Sequence, residues 1–280
     1  MVEGVAVPED GERARPGVDP NSPGNGSPLF AALYGQLAPH PWRDPADDRD
    51  AYVYFHERSL ALGWLSDVGA PRLWGMNDAG HEHPFADDTS LVTWFQVGLE
   101  LAGADRPLTT LPTQPFLRCA TEATQRLGTL NLSAVQLLLP VRDLAAVLAP
   151  EPALSPSLLT AGWFTPGDPR ERATVRITLD SGRVPAVPAV AATLREQLDR
   201  ADQDVFRCGE HSRGDHDPLT TRPPLSDQFW EGPPGHRVTF AGTLSEWSPD
   251  ALGWLGGFLA ELCARNGITT PVLLTASRTA

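Results

Sequence analysis

The sequence predicts an α+β fold of repeated ββαβ modules, with mixed or antiparallel sheets and helices packed on one face. Three tryptophans, Trp74, Trp163 and Trp230, each lie in a short run with strand character. A second strand-like run that starts with Thr follows each of them. The runs 174–180 and 239–245 share Thr at their first and fifth positions and Leu at the sixth. Helical patterns and closing apolar strands follow these runs, which suggests three copies of one unit, modules A, B and C.

The N-terminal segment 1–27 is rich in Gly, Pro and acidic residues and almost lacks large apolar side chains. Such a composition buries too little surface to offset chain entropy, so it predicts a disordered tail. A short helix is predicted over 28–37. The stretch 51–66 fits a strand by β propensity and a helix by apolar spacing, and both alternatives stay open.

Module A belongs to a predicted N-terminal subdomain that spans 28–142. An apolar run at 91–101 predicts a strand, and Pro115 then lies where the first turn of a helix tolerates proline. Gly128 is predicted to stop this helix, and 135–139 to close the module as a buried strand. One face of the helix is predicted to carry Phe116, Cys119, Ala120, Ala123 and Leu127.

Residues 143–157 begin with one or two predicted helical turns and continue with three prolines, which marks a linker between subdomains. The C-terminal subdomain, 158–280, holds modules B and C. Module B is predicted to contain strands at 158–165 and 173–180, a helix that opens near Pro188, and a closing strand at 205–208.

Module C has the clearest local signals. The sequence predicts a strand over 237–244 and a helix that begins at Ser248-Pro249-Asp250, where Ser is a good N-cap and Pro suits the first turn. Gly267 is well placed to end the helix, and a final strand is predicted at 271–275. Leu252, Leu255, Leu259 and Leu262 form the expected core face, and Gly253, Gly256 and Gly257 are expected to permit close helix packing.

The charge balance narrows the classes of function. The chain has 22 basic and 35 acidic side chains, a net charge of −13, and every basic residue is Arg. An acidic surface disfavours nucleic acids and anionic membranes. The absence of Lys excludes Schiff-base and pyridoxal-phosphate chemistry and a P-loop. No Rossmann glycine pattern follows a strand, so NAD and FAD are not expected. A lysine-free, Arg-, Ala- and Pro-rich composition is typical of GC-rich, actinobacterium-like genomes.

The predicted location is the cytoplasm. No apolar run approaches the roughly 18 residues of a membrane helix, and the N-terminus has no signal-peptide pattern. The three cysteines form no CxxC pair, which fits a reducing compartment.

Two long loops, 77–88 and 209–217, exceed what the predicted modules need and are dense in His and carboxylates. Imidazole and carboxylate groups together suit a divalent metal such as zinc, iron or manganese. His residues also titrate near neutral pH and serve in acid–base catalysis. The candidate metal ligands are His81, His83, Asp87, Cys208, His211 and His216. The candidate catalytic residues are His81, His83, His211, His216 and Asp217.

Two functional hypotheses follow. The first is a cytoplasmic protein that binds a protein partner or a small apolar ligand, with a homodimer as one way to cover an exposed sheet face. The second is a small-molecule enzyme, with or without a metal, that uses the loops 77–88 and 209–217.

Overall fold

The computed structural model describes residues 27–44, 46, 48–65, 73–80, 90–100, 109–145, 156–164, 172–213, 224–227 and 230–279. Its strands are β1 (Pro28–Pro39), β2 (Trp74–Gly80), β3 (Leu91–Leu99), β4 (Gly128–Leu139), β5 (Ala173–Asp180), β6 (Phe206–Arg213), β7 (Arg237–Leu244) and β8 (Val272–Arg278). Its helices are α1 (Ala51–Ala61), α2 (Thr113–Gln125), α3 (Arg142–Ala145), α4 (Pro156–Thr160), α5 (Ala186–Arg200) and α6 (Pro249–Arg265), with a 3₁₀ turn at Ala161–Phe164.

The eight strands form one antiparallel sheet in the order β2-β3-β1-β4-β8-β5-β7-β6. The chain passes twice through the same sequence of elements, β-α-β-β-α-β. In each pass the fourth strand lies beside the first, the first beside the third, and the third beside the second, which is the split β-α-β-β-α-β arrangement. The two halves meet where β4 pairs with β8, so the α+β prediction is confirmed as a single continuous sheet.

Three ββαβ modules are not confirmed. The predicted strand at 158–165 is the short helix α4 and the 3₁₀ turn, in which Trp163 is 75% exposed. Trp230 lies in a turn rather than on a strand. The similar runs 174–180 and 239–245 correspond to β5 and β7. These are neighbouring strands of the sheet, and they do not occupy equivalent places in the two halves. A short apolar run fits a strand and a helix equally well, so interpreting 158–165 as a strand gave the wrong repeat unit.

The segment predicted as a helix over 28–37 is instead part of β1. Leu29, Ala31 and Leu33 face the helices, while Phe30 and its alternate neighbours face the opposite side of the sheet, and both sets are buried. A strand buried on both faces has a continuous apolar sequence without alternation, which explains the error. Of the stretch 51–66, residues 51–61 form helix α1, whose first turn is capped by the Asp50 carboxylate, 3.0 Å from the Val53 amide.

The central helix pair is α2 and α6, one from each half. Helix α6 begins where predicted, with the Ser248 hydroxyl accepting a hydrogen bond from the Ala251 amide at 3.1 Å, and Gly267 has φ +78° just past its end. Its residues 251–264 are all buried, so its apolar surface is wider than the single predicted face. A methyl group on Gly253 would lie 2.5 Å from Gln114 Cα, which confirms the predicted close packing.

The main core lies between the sheet and the helices α1, α2, α5 and α6. The predicted core face of α2, including Phe116 and Cys119, is buried there. A smaller apolar cluster on the opposite side of the sheet joins Phe30, Tyr34 and Trp94 to Leu225 and Trp230. Among the described helices, none has the length and apolar character to cross a membrane.

The predicted helical turn after residue 143 is present as α3. The rest of the proposed linker, up to residue 155, and the proposed N-terminal tail, up to residue 26, lie outside the described residues. The division into subdomains at 28–142 and 158–280 therefore stays a prediction, although the sheet runs without a break from one half into the other.

Candidate functional site

Most of the predicted site residues lie outside the part of the chain that the structure describes. These are His81, His83, Asp87, His216 and Asp217. Their proposed roles as metal ligands or acid–base groups stay predictions. In the described residues no group of three or more His, Cys, Asp or Glu side chains is placed to hold a metal ion.

Cys208 and His211 lie on β6, because the predicted loop from residue 209 is strand as far as Arg213. A bulge between Cys208 and Glu210 shifts the register, so Cys208 pairs with Gly242 and His211 with Phe240. Both side chains therefore lie on the helix side of the sheet, and the His211 ring stacks 6.1 Å from the Phe240 ring. Burial raises the pKa of the Cys208 thiol to about 11, so at neutral pH the sulfur is a poor nucleophile.

The described residues form a groove of about 680 Å³ between Trp42 and Arg49 of the β1–α1 connection, helix α1 and helix α2. We call it the Trp42 groove. The connection supplies an aromatic wall, α1 one side, and the end of α2 the other. Its lining residues are Trp42, Arg49, Tyr54, Glu57, Arg58, Ala61, Glu122, Ala123, Gln125 and Arg126.

Hydrogen bonds to the C-terminal end of α2 hold the aromatic wall in place. The His40 amide donates to the Leu127 carbonyl at 3.3 Å, and His40 Nε2 donates to the Gln125 carbonyl at 2.8 Å. The Trp42 ring stacks on the His40 ring at 4.7 Å between centroids and 15° between planes, yet 69% of Trp42 is exposed. The indole is thus positioned on one face and accessible on the rest.

Three guanidinium groups and two carboxylates line the groove. Arg58 pairs with Glu122 at 2.5 Å, and Glu122 also accepts from Arg118 at 3.3 Å. The Arg49 guanidinium lies 5.2 Å from the centre of the Tyr54 ring, in cation–π geometry. Arg126 is exposed, and no ion pair to it is found among the described residues. The groove therefore carries a local excess of positive charge in a protein of net charge −13.

The end of α2 opposes an anion in the groove, because unpaired carbonyls give a helix C-terminus partial negative charge. The opposition amounts to about 0.3–1 kcal/mol at an exposed terminus. A hydrogen bond between a guanidinium and an anion contributes about 1.5–3 kcal/mol, and less when exposed. His40 also occupies the Gln125 carbonyl. Because Arg126 is exposed, its ionic contact falls to about 0–1 kcal/mol, which is similar in size to the opposition from the helix end.

The opposite face of the sheet has a row of buried polar side chains that crosses the seam between the halves. Gln136 on β4 pairs in register with Thr275 on β8, Thr275 with Thr178 on β5, and Thr178 with Thr239 on β7. The Tyr34 hydroxyl donates to Gln136 Oε1 at 2.6 Å, and the Thr178 and Thr239 hydroxyls lie 2.9 Å apart. Hydrogen bonds between Tyr34 and Gln136 and between Thr178 and Thr239 thus join neighbouring strands on this face of the sheet.

Buried carboxylates elsewhere serve structural contacts. Asp180 Oδ1 accepts from the Gly182 amide at 2.7 Å and from the Gly235 amide at 3.2 Å, and burial raises its pKa. Glu261, on α6, accepts from the Ser157 hydroxyl at 2.8 Å, and burial raises its pKa as well. Asp180 holds Gly182 and Gly235 against the end of β5, and Glu261 ties the short helix α4 to α6.

Comparisons with known proteins add no family to this picture. No protein-family model matches the chain, and no match was found among curated proteins or solved structures.

The Trp42 groove was not identified from the sequence, because the predicted modules did not show that the connection between β1 and α1 is unusually long. With the halves aligned as the structure has them, the β1–α1 connection spans residues 40–50, whereas its counterpart between β5 and α5 spans only 181–185. The longer connection carries Trp42 between two prolines in a polar stretch. A large aromatic residue in such a segment is a signal that could have located the site.

Proposed function

We propose that this protein binds a small molecule in the Trp42 groove. The observation that carries the proposal is an open cavity of about 680 Å³ with a stacked but largely exposed tryptophan as its wall. Small-molecule sites typically occupy about 300–1,000 Å³ and combine aromatic surface with a few polar groups. The volume of the groove lies in this range, and Trp42 and Tyr54 supply the aromatic surface, while charged side chains make up half of the lining.

The proposal refines the hypothesis of a small apolar ligand. The groove is mixed in character, since Tyr54 and Trp42 stand beside Arg and Glu side chains. A ligand with flat aromatic surface would stack on the accessible part of Trp42 and leave its polar groups to the guanidinium side. The catalytic hypothesis depends on His81, His216 and their neighbours and remains a separate prediction.

The test uses N-phenylnaphthylamine, an uncharged aromatic probe whose fluorescence rises when it leaves water. We expect saturable binding to the full-length protein, weakened roughly fivefold by Trp42→Ala, because an aromatic contact contributes about 1 kcal/mol. Trp163→Ala is the matched control, since Trp163 is equally exposed but lies outside the groove.

Two results would contradict the proposal. One is the absence of saturable probe binding to the folded protein. The other is equal loss of affinity in Trp42→Ala and Trp163→Ala, which would indicate adsorption to exposed tryptophans rather than occupancy of a groove. Circular dichroism of both variants verifies that the comparison is made between folded proteins.

A further inference from the structure

We infer that the natural ligand of the Trp42 groove is a planar aromatic anion, such as an aromatic carboxylate or a phosphate ester, whose negative group is bound by Arg126. The inference rests on the proposed binding function and specifies its ligand class. It follows from the different states of the three guanidinium groups in the groove.

Two of these groups already have partners. Arg58 is neutralised by the Glu122 carboxylate at 2.5 Å, and Arg118 shares the same carboxylate. Arg49 lies over the Tyr54 ring at 5.2 Å. A guanidinium held in this way can stack against a flat ligand, but its charge is partly engaged.

Arg126 differs from both. It follows the last turn of α2, its side chain is exposed, and it borders the cavity without an ion-pair partner in the described part of the chain. A guanidinium presents a planar fork of donors that matches carboxylate and phosphate oxygens. Arg126 is therefore the group in the groove best able to bind an anionic substituent.

Charge complementarity supports the same class of ligand. The molecule as a whole carries −13 and repels anions over most of its surface. An unneutralised guanidinium beside accessible aromatic surface gives one place where a flat anion meets both stacking and ionic contacts. A flat cation would gain the stacking contact and meet repulsion from Arg126, with the Glu57 carboxylate in the same groove acting in the opposite direction.

The experiment compares two probes that share one skeleton, N-phenylnaphthylamine and anilinonaphthalenesulfonate, which differ by a sulfonate group. We expect the anionic probe to bind roughly three- to tenfold more tightly at low ionic strength, and this advantage to shrink as salt is added. Arg126→Gln should remove the advantage by lowering the affinity for the anionic probe more than that for the neutral probe, and Arg126→Lys should retain part of it. Arg200→Gln, at an exposed arginine on α5, is the control and should change neither affinity.

The outcomes separate the inference from the proposed function. If both probes bind equally, or if Arg126→Gln weakens them to the same extent, the ligand class is wrong while the groove remains a binding site. If Arg200→Gln lowers anion affinity as much as Arg126→Gln, the effect is one of overall charge and the inference also fails. If neither probe responds to Trp42→Ala, the proposed function itself is contradicted.

Discussion

At the scale of single residues, Glu261 places an ionisable carboxyl group in the interior of the protein. It is fully buried on α6, and its Oε1 accepts a hydrogen bond from the Ser157 hydroxyl while Oε2 finds no partner in the described structure. Desolvation raises its pKa, with the hydrogen bonds from Ser157 and Thr110 and the charge of Arg265 acting in the opposite direction. Burial therefore favours the protonated form of the Glu261 carboxyl more strongly than water favours that of a free glutamic acid.

We expect Glu261→Gln to raise the stability of the protein at neutral pH. A carboxyl whose pKa is higher in the folded than in the unfolded state contributes stability below the unfolded pKa, and this contribution is lost as pH rises through the folded pKa. The amide cannot ionise and retains an acceptor for Ser157. Urea denaturation at several pH values should show the variant ahead at neutral pH, with the difference closing under acidic conditions.

The comparison must be made between variants, because burial also raises the pKa of Asp143 and Asp180. Asp143 and Asp180 therefore contribute the same pH dependence of stability to wild type and to Glu261→Gln. A constant stability difference across the pH range would show that the pKa of Glu261 is the same in the folded and the unfolded protein, and would contradict the argument.

At the scale of elements, the contact between α2 and α6 joins the halves on the helix side of the sheet. Gly253 lies against the first turn of α2, and the Thr113 hydroxyl donates to the Gly253 carbonyl at 2.6 Å. A helix interior normally disfavours glycine by about 1 kcal/mol relative to alanine. The short helix separation explains why glycine is nevertheless used here.

We expect Gly253→Ala to destabilise the protein by about 1–3 kcal/mol, the usual cost of inserting a methyl group into a packed interior. The added carbon would lie 2.5 Å from Gln114 Cα, a backbone atom that cannot move without shifting α2. Gly162→Ala is the control, since no atom lies within 4 Å of its added methyl. Thermal denaturation of both variants measures the difference, and equal stability would show that the helices separate at little cost.

The helices and strands also differ in how well they could be predicted from local sequence. The start of α6 at Ser248-Pro249, the strand β7 and the helix α5 near Pro188 were predictable, because caps and apolar spacing act over a few residues. The strand β1 was not, since a strand buried on both faces lacks alternation. The short helix α4 was mistaken for a strand for the related reason that a brief apolar run has no measurable period.

At the scale of the whole molecule, the seam between β4 and β8 makes one sheet of the two halves. Leu137 and Leu274 pair across it on the helix side, and Gln136 and Thr275 pair on the other. Both halves also contribute to the helix-side core. A core shared in this way should couple the unfolding of one half to that of the other.

We therefore expect urea to unfold the protein in a single cooperative transition. Tryptophan emission, which reports Trp74 in one half and Trp254 in the other, should change together with far-ultraviolet circular dichroism. Two resolved transitions would contradict the argument from the shared core and would favour the predicted subdomains at 28–142 and 158–280.

The candidate site belongs to this largest scale. The sequence directed attention to the loops 77–88 and 209–217 by their composition. The Trp42 groove exists only in the folded first half, because it depends on residues from a connection and two helices more than 80 positions apart at their extremes, from Trp42 to Arg126. Such convergence has no local sequence signature.

By itself, the sequence determined the α+β class, several helix and strand positions, and the exclusion of lysine-dependent chemistry, because composition, caps and periodicity are properties of neighbouring residues. The tertiary structure alone decided the strand order, the true repeat of six elements and the location of the groove. Strand pairing and burial are set by contacts between distant segments. The sequence of a short apolar run does not specify which segment will pack against it.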